Sequence, residues 1–165
     1  MIRPMTSKDI LHVQRIVHNT WAQMYLDIIP QDIQTNFINR SYSDEMLLMR
    51  MQKTIVLIAE CEGIPVGFAN FTKKDTDGDS ELTAMYILPA YQQSGYGQKL
   101  FNFAVSMLSD AEQLFVYVDG RNIAGRTFYE KQGFELLDVF NELFEGYPVE
   151  TAQYVYTITS NVLSY

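Results

Sequence analysis

The chain has 165 residues, a formal net charge of -8 at neutral pH and one cysteine. This length suffices for one domain with a sizeable core, which we predict over residues 1–165. The negative charge argues against a nucleic-acid-binding protein, and a single cysteine excludes an internal disulfide framework and a cysteine-based zinc site. Because the sequence has neither a bilayer-length apolar run nor a signal-peptide pattern at Met1–Pro4, we expect a cytoplasmic protein without nucleic-acid or membrane partners.

The N-terminal part of the chain predicts one short strand followed by three helices. Ile2–Pro4 is predicted to form an edge strand, and Thr6 with Asp9 has the pattern of a helix N-cap with its acid three residues later. The apolar face of the first helix is predicted from residues at helical spacing, which are Ile10, Val13, Val17, Trp21 and Met24. Pro30 suits the first turn of a second helix, and Ser43 suits the N-cap of a third.

Two strands and an acidic turn follow. Ile55–Ala59 is continuously apolar, which predicts a strand buried on both faces, and Val66–Phe71 is predicted as the strand that returns. Asp75–Asp79 resembles a calcium loop, but no glutamate lies at the closing position. We therefore predict a solvent-exposed turn at this segment rather than a metal site.

The middle of the chain predicts a strand, a loop with two glycines and a helix. Leu82–Leu88 is the predicted strand, and Pro89 ends it. The helix is predicted from apolar residues at Leu100, Ala104, Met107 and Leu108. A helix N-terminus attracts phosphate, and Gly95 and Gly97 present no Cβ that would block its approach. A dinucleotide-binding fingerprint and a P-loop are both disfavoured, because Leu100 takes the place of the third glycine and no Gly-Lys-Ser/Thr is present.

The C-terminal part predicts a strand, a helix and two closing strands. The strand is Leu114–Val118, after which Asn122 suits the N-cap of the helix and Gly133 suits the residue that ends it. The closing strands are predicted over Phe134–Phe144 and Tyr154–Ile158, with a break at Gly146-Tyr147-Pro148 between them.

Two of these segments resemble motifs of the GNAT superfamily of N-acetyltransferases. Gln92-x-x-Gly95-x-Gly97, after a strand and a proline, resembles the acyl-CoA loop of that family, whose pattern is Arg/Gln-x-x-Gly-x-Gly/Ala. The segment from Asn122 to Phe134 resembles the pattern Asn-x-x-Ala-x-x-x-Tyr-x-x-x-Gly-Phe, with Ala124 one residue nearer to Asn122 than in the pattern. The two motifs stand in the family's order.

The resemblance implies an α/β (α+β) fold with a mixed, mostly antiparallel central sheet. This sheet would have six to seven strands with helices on both faces. It would splay between the strand that ends near Leu88 and the strand that ends near Val118, and acetyl-CoA would lie in that gap. Pairing through the C-terminal strands is common in the family, which makes a homodimer the expected assembly.

The resemblance also implies roles for particular residues. Tyr129 matches the general acid that protonates the departing thiolate, and Glu81 could be the general base or only a carboxylate at the end of a strand. Tyr25 would border the acceptor site, whereas Trp21 suits the core equally well. The expected acetyl-CoA-binding residues are Met85, Tyr86, Ile87, Gln92, Gln93, Ser94, Gly95, Tyr96, Gly97, Gln98 and Asn122.

The resemblance therefore implies an enzyme that moves an acetyl group from acetyl-CoA to a primary amine by direct transfer in a ternary complex. The negative charge favours a small cationic acceptor such as a polyamine. The alternatives are acetylation of a protein or peptide N-terminus and a catalytically silent acyl-CoA-binding module. We predict no metal, because His12 and His18 lie on different faces of their helix, and no acyl-cysteine route, because Cys61 has no histidine near it in the sequence.

Overall fold

The structure is a computed structural model, and it describes residues 1–158. The strands are β1 (Ile2–Pro4), β2 (Ile55–Cys61), β3 (Ile64–Phe71), β4 (Asp79–Ile87), β5 (Gln113–Asp119), β6 (Glu135–Phe144) and β7 (Tyr147–Thr157). The helices are α1 (Ile10–Met24), α2 (Gln31–Ser41), α3 (Asp44–Lys53), α4 (Tyr96–Met107) and α5 (Ile123–Gln132). Single turns of 3₁₀ helix at Ser7–Asp9 and Pro89–Tyr91 precede α1 and follow β4.

These strands form one sheet in the order β1-β2-β3-β4-β5-β7-β6. β4 and β5 are parallel, whereas β1–β2, β2–β3, β5–β7 and β6–β7 are antiparallel pairs. The register of β4 with β5 begins at Asp79–Gln113 and ends at Leu82–Val116, although β4 extends to Ile87 and β5 to Asp119. The predicted mixed, mostly antiparallel fold is confirmed, and its strand pairing is short at the place where the sheet was expected to splay.

The chain divides into two compact units, which both contain part of β4. The first unit comprises Met1–Thr72 and Ala84–Met107, and the second comprises Lys73–Thr83 and the chain from Leu108 onward. The single domain expected over residues 1–165 stays a prediction. Within the described part of the chain, no helix is long and apolar enough to cross a membrane.

The core of the first unit lies around β2 and β3. Val56–Ala59 of β2 is fully buried, and so is every residue of β3 after Ile64, as the continuous apolar sequence of these strands predicts. α1 covers the sheet with its apolar face, whose buried residues are Val13, Ile16, Val17, Thr20 and Trp21. The three predicted helices of this unit are therefore present, and the strand at Ile2–Pro4 pairs at the edge with β2.

Helix starts follow the predicted capping residues. Thr6 donates its backbone N–H to the Asp9 carboxylate at 2.8 Å ahead of α1. The Ser43 hydroxyl accepts the backbone N–H of Met46 at 3.2 Å, and the Asn122 side chain accepts that of Gly125 at 3.0 Å. Each bond satisfies one N–H group that the helix itself leaves unpaired, which fixes the first residue of the helix.

The predicted start of the last strand is wrong. β7 begins at Tyr147, not at Tyr154, because Glu145 and Gly146 form a tight turn with φ angles of 50° and 79° that joins β6 directly to β7. Pro148 pairs with Leu143 of β6, and the register of β7 with β5 begins only at Thr151. The missing N–H of the proline therefore lies on the side of β7 that faces no partner at that point.

One residue of the apolar face predicted for α4 is not buried. Leu100, Ala104 and Leu108 are buried as expected, but Met107 is 41% exposed. Met107 is the last residue of α4, and the chain turns away before Leu108. The buried residues of α4 are Leu100, Phe101 and Ala104, so Met107 lies at the edge of the buried face rather than at its centre.

The acidic segment Asp75–Asp79 forms a turn, as predicted. The Asp75 carboxylate accepts the backbone N–H groups of Asp77 at 2.8 Å and of Asp79 at 3.0 Å. The carboxylate oxygens of these three residues lie within 4.8 Å of one another, and Asp75 and Asp77 are exposed. These hydrogen bonds are those of an Asx turn, so the turn accounts for the position of Asp75.

Candidate active site

The glycine-containing loop lies between β4 and α4 in the first unit. β4 ends at Ile87, and the backbone N–H of Leu88 then bonds to the Val66 carbonyl of β3 at 2.8 Å. After the 3₁₀ turn, Gly95 adopts a φ of 89°, a left-handed conformation that side chains with a Cβ rarely adopt. A Cβ added to Gly95 would have no atom within 4 Å, so this face of the loop is open.

The first turn of α4 leaves backbone N–H groups that no carbonyl of the helix accepts. The Gly95 carbonyl accepts the backbone N–H of Lys99 at 3.1 Å, which is the first hydrogen bond of the helix. The N–H groups of the residues before Lys99 have no acceptor within the helix, and the helix dipole adds positive potential at the same end. This local geometry is what the sequence predicted for the loop.

Gln92 and Tyr96 of this loop bond to other parts of the first unit. The Gln92 side-chain amide donates to the Ile87 carbonyl at 3.0 Å and to the Gln23 side chain at 3.2 Å. A hydrogen bond with Cys61 is the main cause that raises the pKa of Tyr96 above its ordinary value. These contacts fix the loop against the end of β4, α1 and the end of β2.

The connection from α1 to α2 is held by a buried glutamine. Tyr25 is the residue directly after α1, and its carbonyl accepts the N–H groups of Ile28 at 3.0 Å and of Ile29 at 3.1 Å. Gln34 of α2 is buried and donates to the carbonyls of Tyr25 at 3.2 Å and of Ile29 at 2.8 Å. The half-buried Tyr25 thus lies in a connection that four hydrogen bonds hold in place.

Trp21 belongs to the core of the first unit. It is 4% exposed, and its ring stacks on Phe37 at 4.9 Å between centroids and packs against Tyr25 at 4.6 Å. The sequence left Trp21 open between the core and the acceptor site, and its burial assigns it to the core. Its contact with the Tyr25 ring still supports the position of that residue.

Glu81 lies in the second unit, in the part of β4 that pairs with β5. Its neighbours Ser80 and Leu82 are buried on one face of the strand, and Glu81 is half-buried on the other. It pairs with Phe115 of β5, which pairs in turn with Val155 of β7. Burial raises the pKa of the Glu81 carboxyl above its ordinary value.

Tyr129 lies on α5 in the same unit and is 7% exposed. Its ring packs edge-on against Phe128 at 5.4 Å and Phe134 at 5.2 Å, and Phe134 packs on Tyr156 of β7 at 5.4 Å. Tyr156 pairs with Leu114 of β5, and its face of the sheet is the one opposite to Glu81. The predicted acid and the predicted base are therefore on opposite faces of the sheet.

The segment from Asn122 to Phe134 has the same number of residues as the family pattern, so no residue is missing between Asn122 and Tyr129. Gly125 stands three residues after Asn122, where the family pattern has alanine, and its N–H completes the Asn122 cap. A Cβ on Gly125 would lie only 2.6 Å from the Asn122 amide nitrogen, so glycine leaves room for the capping side chain. Gly133 ends α5 with a φ of 102°, as predicted.

A family model described as an acetyltransferase (GNAT) domain matches residues 52–136, which is about half of the chain. The chain belongs to the GNAT family of acetyltransferases. The matched residues include Glu81, the glycine loop and all of α5. The family predicted from the two motifs is thereby confirmed.

Curated relatives of this GNAT protein extend the match over most of the chain. A spermidine N(1)-acetyltransferase of Thermoplasma acidophilum is 26% identical over 145 residues, which are 83% of this chain and 89% of the relative. An uncharacterised N-acetyltransferase of Bacillus subtilis is 27% identical over 126 residues, 73% of this chain and 72% of the relative. Both relatives are named as N-acetyltransferases.

Solved GNAT structures share the fold. The PaiA N-acetyltransferase of Thermoplasma acidophilum, crystallised in complex with coenzyme A, has a TM-score of 0.80 at 22% identity over 94% of this chain and 98% of its own. The ribosomal-protein-S18-alanine N-acetyltransferase of Escherichia coli has a TM-score of 0.73 at 16% identity over 96% and 93% of the two chains. At these identities the likeness concerns the fold.

The structure adds residues of this GNAT protein that the sequence analysis missed. The Lys99 ammonium lies 5.7 Å from the centre of the Tyr96 ring, so it places a positive charge near the start of α4. The sequence signal that could have identified Lys99 is its position four residues after Gly95. The role of Gln34 had no such signal, because only the folded chain shows that it is buried against two carbonyls.

Proposed function

We propose that this GNAT protein transfers the acetyl group of acetyl-CoA directly to the primary amine of a small molecule within a ternary complex. The observation that carries the proposal is that one compact unit holds both Glu81, a half-buried carboxylate with a raised pKa, and Tyr129, a buried phenol on the helix of the second motif. The carboxylate can take up a proton, and the phenol can supply one. A silent acyl-CoA-binding module would have no need of this pair.

The donor would bind through groups of the glycine loop. The backbone N–H groups of Gly95, Tyr96 and Gly97 and the Lys99 ammonium are the groups suited to the pyrophosphate. The predicted contacts of Gln92, Gln93, Ser94 and Gln98 belong to the same loop. Backbone N–H groups of Met85, Tyr86 and Ile87 in β4 are proposed to hold the pantetheine arm. Asn122 is a further proposed donor contact.

The reaction requires a proton acceptor, groups that stabilise the oxyanion and a proton donor from this chain. Glu81 would accept a proton from the acceptor ammonium, directly or through water, so that the nitrogen can attack the thioester carbonyl carbon. Backbone N–H groups near Met85–Ile87 would stabilise the negative charge that develops on the carbonyl oxygen. Tyr129 would donate its hydroxyl proton to sulfur as the carbon–sulfur bond breaks, and the former amine nitrogen would give up its second proton to the tyrosinate through water, which leaves an amide and free CoA.

A small cationic amine is the acceptor class that we favour. The net charge of -8 attracts cations, and the Thermoplasma acidophilum relative is named as a spermidine acetyltransferase. Tyr25, whose carbonyl accepts a hydrogen bond from Gln34, is the residue that we propose contacts the acceptor amine. Acetylation of a protein N-terminus is the second candidate, because ribosomal-protein-alanine acetyltransferases share the fold. The cytoplasmic location, the homodimer and the absence of a metal stay predictions.

Gly97→Glu is expected to abolish the rise in melting temperature that acetyl-CoA causes in the wild type. Any ligand of the native state raises the melting temperature, and the variant places bulk and negative charge where the pyrophosphate is proposed to bind. Differential scanning fluorimetry with and without acetyl-CoA measures the shift.

The matched control for this experiment is Asn102→Glu. It adds the same charge to the exposed side of α4, and its carboxylate can still accept the Gln98 amide that Asn102 accepts at 2.9 Å. The control should keep the full thermal shift. A folded Gly97→Glu variant with an unchanged shift would remove the loop from the donor site.

Cationic amines are expected to be better acceptors than neutral amines of the same length. Their KM should rise as salt is added, because salt screens the attraction between a cation and an acidic protein. Steady-state rates with a polyamine, a monoamine and an ω-amino acid of the same length, which is a zwitterion without net charge, provide the comparison at two ionic strengths. Equal KM values across the panel, or a KM that salt does not change, would reduce the negative charge to a role in solubility.

A further inference from the structure

Tyr154 of β7 joins the sheet to the helix that carries Tyr129. Its side chain is completely buried, and its hydroxyl makes two hydrogen bonds to α5. The hydroxyl donates to the Glu130 carboxylate at 2.5 Å and accepts the Arg126 Nε–H at 2.9 Å. Both partners of this single hydroxyl therefore belong to one helix.

The same arginine connects α5 to the turn that precedes the helix. Arg126 donates through a terminal nitrogen to the Gly120 carbonyl at 3.1 Å, and Gly120 donates its own N–H to the Glu150 carbonyl of β7 at 2.8 Å. The start of α5 and its middle are thus both anchored to β7. The anchors are polar and directional, unlike the ring packing around Phe134.

The spacing of these anchors constrains the rotation of the helix. Arg126 and Glu130 are four residues apart, so they lie on one side of α5 about one turn from each other. Tyr129 lies three residues after Arg126 and directly before Glu130. Two bonds to one fixed hydroxyl therefore set both the rotation and the axial position of α5, and with them the direction in which the Tyr129 ring leaves the helix.

We propose that Tyr154 is a positioning residue for Tyr129, acting through Glu130 and Arg126. This inference rests on the proposed role of Tyr129 as general acid. A donor displaced by about 1 Å from the sulfur loses much of its effect on the rate. The network therefore contributes to turnover without contact with either substrate.

The hydroxyl is suited to a permanent role of this kind. Burial, and then the hydrogen bond to Glu130, raise the pKa of Tyr154 above its ordinary value, so the hydroxyl keeps its proton over the working pH range. Tyr154→Phe keeps the buried ring. It leaves Glu130, which is exposed, and Arg126, which is half-buried, free to pair with each other or with water.

The test is a double-mutant cycle between Tyr154→Phe and Tyr129→Phe. Tyr154→Phe should lower kcat about tenfold and leave the Kd of acetyl-CoA unchanged. In the Tyr129→Phe background, Tyr154→Phe should have no further effect on kcat, because the Tyr129 hydroxyl that Tyr154 positions is already absent. The matched control is Tyr147→Phe, which removes a hydroxyl at the far end of β7 and should leave kcat unchanged.

The outcomes separate the two proposals. The positioning role is refuted if Tyr154→Phe lowers kcat by the same factor in the wild type and in Tyr129→Phe. It is also refuted if Tyr154→Phe lowers kcat in neither background. If Tyr129→Phe alone keeps normal turnover, the proposed role of Tyr129 itself fails, and the positioning role fails with it.

A second pair of variants at Glu130 keeps the test decisive should Tyr154→Phe fold poorly. Glu130 is exposed, so neither substitution there should disturb the core. Glu130→Leu should reproduce the loss of kcat, whereas Glu130→Gln, which retains an oxygen for the Tyr154 hydroxyl, should recover most of it. Equal turnover of the two Glu130 variants would contradict the network.

Discussion

Replacement of Tyr129 by phenylalanine is expected to lower kcat by about 10²–10⁴-fold. The change removes one hydroxyl from a ring that packs against Phe128 and Phe134, so the fold and the binding of acetyl-CoA should persist. The loss arises because the departing thiolate then has no positioned proton donor. Steady-state release of CoA, followed with a thiol reagent, measures kcat, and calorimetry measures donor binding.

The pH profile provides an independent test of the same residue. A general acid must be protonated, and a free phenol loses its proton near a pKa of about 10. The wild-type rate should therefore fall on the alkaline side, and this fall should be absent from the Tyr129→Phe variant. Tyr147→Phe is the control. Near-normal turnover of Tyr129→Phe would mean that Tyr129 is only a packing residue, with water as the proton donor.

Glu81→Gln should have the second-largest effect, a loss of about 10²-fold or more in kcat/KM at neutral pH. Glutamine keeps the size of the side chain but cannot accept the proton of the acceptor ammonium. The difference in kcat/KM between the variant and the wild type should become smaller as the pH approaches the pKa of the amine, because a growing fraction of the acceptor is then already deprotonated. Glu135→Gln is a matched control, since Glu135 pairs with Val155 in the same row across the sheet and is exposed.

The raised pKa of Glu81 also predicts the sign of a stability effect. Since burial raises this pKa in the folded state, the folded chain binds more protons at Glu81 than the unfolded chain between the two pKa values. The stability contributed by Glu81 therefore falls as the pH rises through that window. Glu81→Gln should be as stable as the wild type or more stable at neutral pH, with no gain at pH values below the ordinary carboxyl range.

A variant at Glu81 that is inactive and more stable would separate catalysis from folding. Chemical denaturation at acidic and neutral pH measures the free energy of unfolding in both forms. Normal activity of Glu81→Gln at neutral pH would leave Glu81 as a carboxylate at the end of a strand, which was the other interpretation of the sequence.

Local signals made much of the fold predictable. Ser43 and Asn122 cap their helices as predicted, because a capping residue acts within three positions of itself. The glycine loop was predictable for the same reason, since Gly95 and the start of α4 are neighbours in sequence. The start of β7 was not, because Gly146 and Pro148 read locally as a break, whereas the hairpin turn and the outer position of Pro148 allow a continuous strand.

Contacts between residues distant in sequence account for what the sequence did not reveal. The bonds of Tyr154 to Arg126 and Glu130 span 28 and 24 positions, and no pattern in either segment indicates them. Gln34 is a further example, because its polar side chain predicts exposure until the carbonyls of Tyr25 and Ile29 are seen to receive it. Residues that hold a site in place were thus harder to predict than residues within its motifs.

The most direct measurement is the dependence of CoA release on added amine, combined with mass spectrometry of the amine and of the protein. Direct transfer predicts that acetyl-CoA yields free CoA only when an amine is present, with one acetyl group gained by the amine for each CoA released and none by the protein. The Tyr129→Phe variant should lose both signals together. Release of CoA without an amine, an acetylated protein in the reaction, or no product from any amine or peptide would contradict the account.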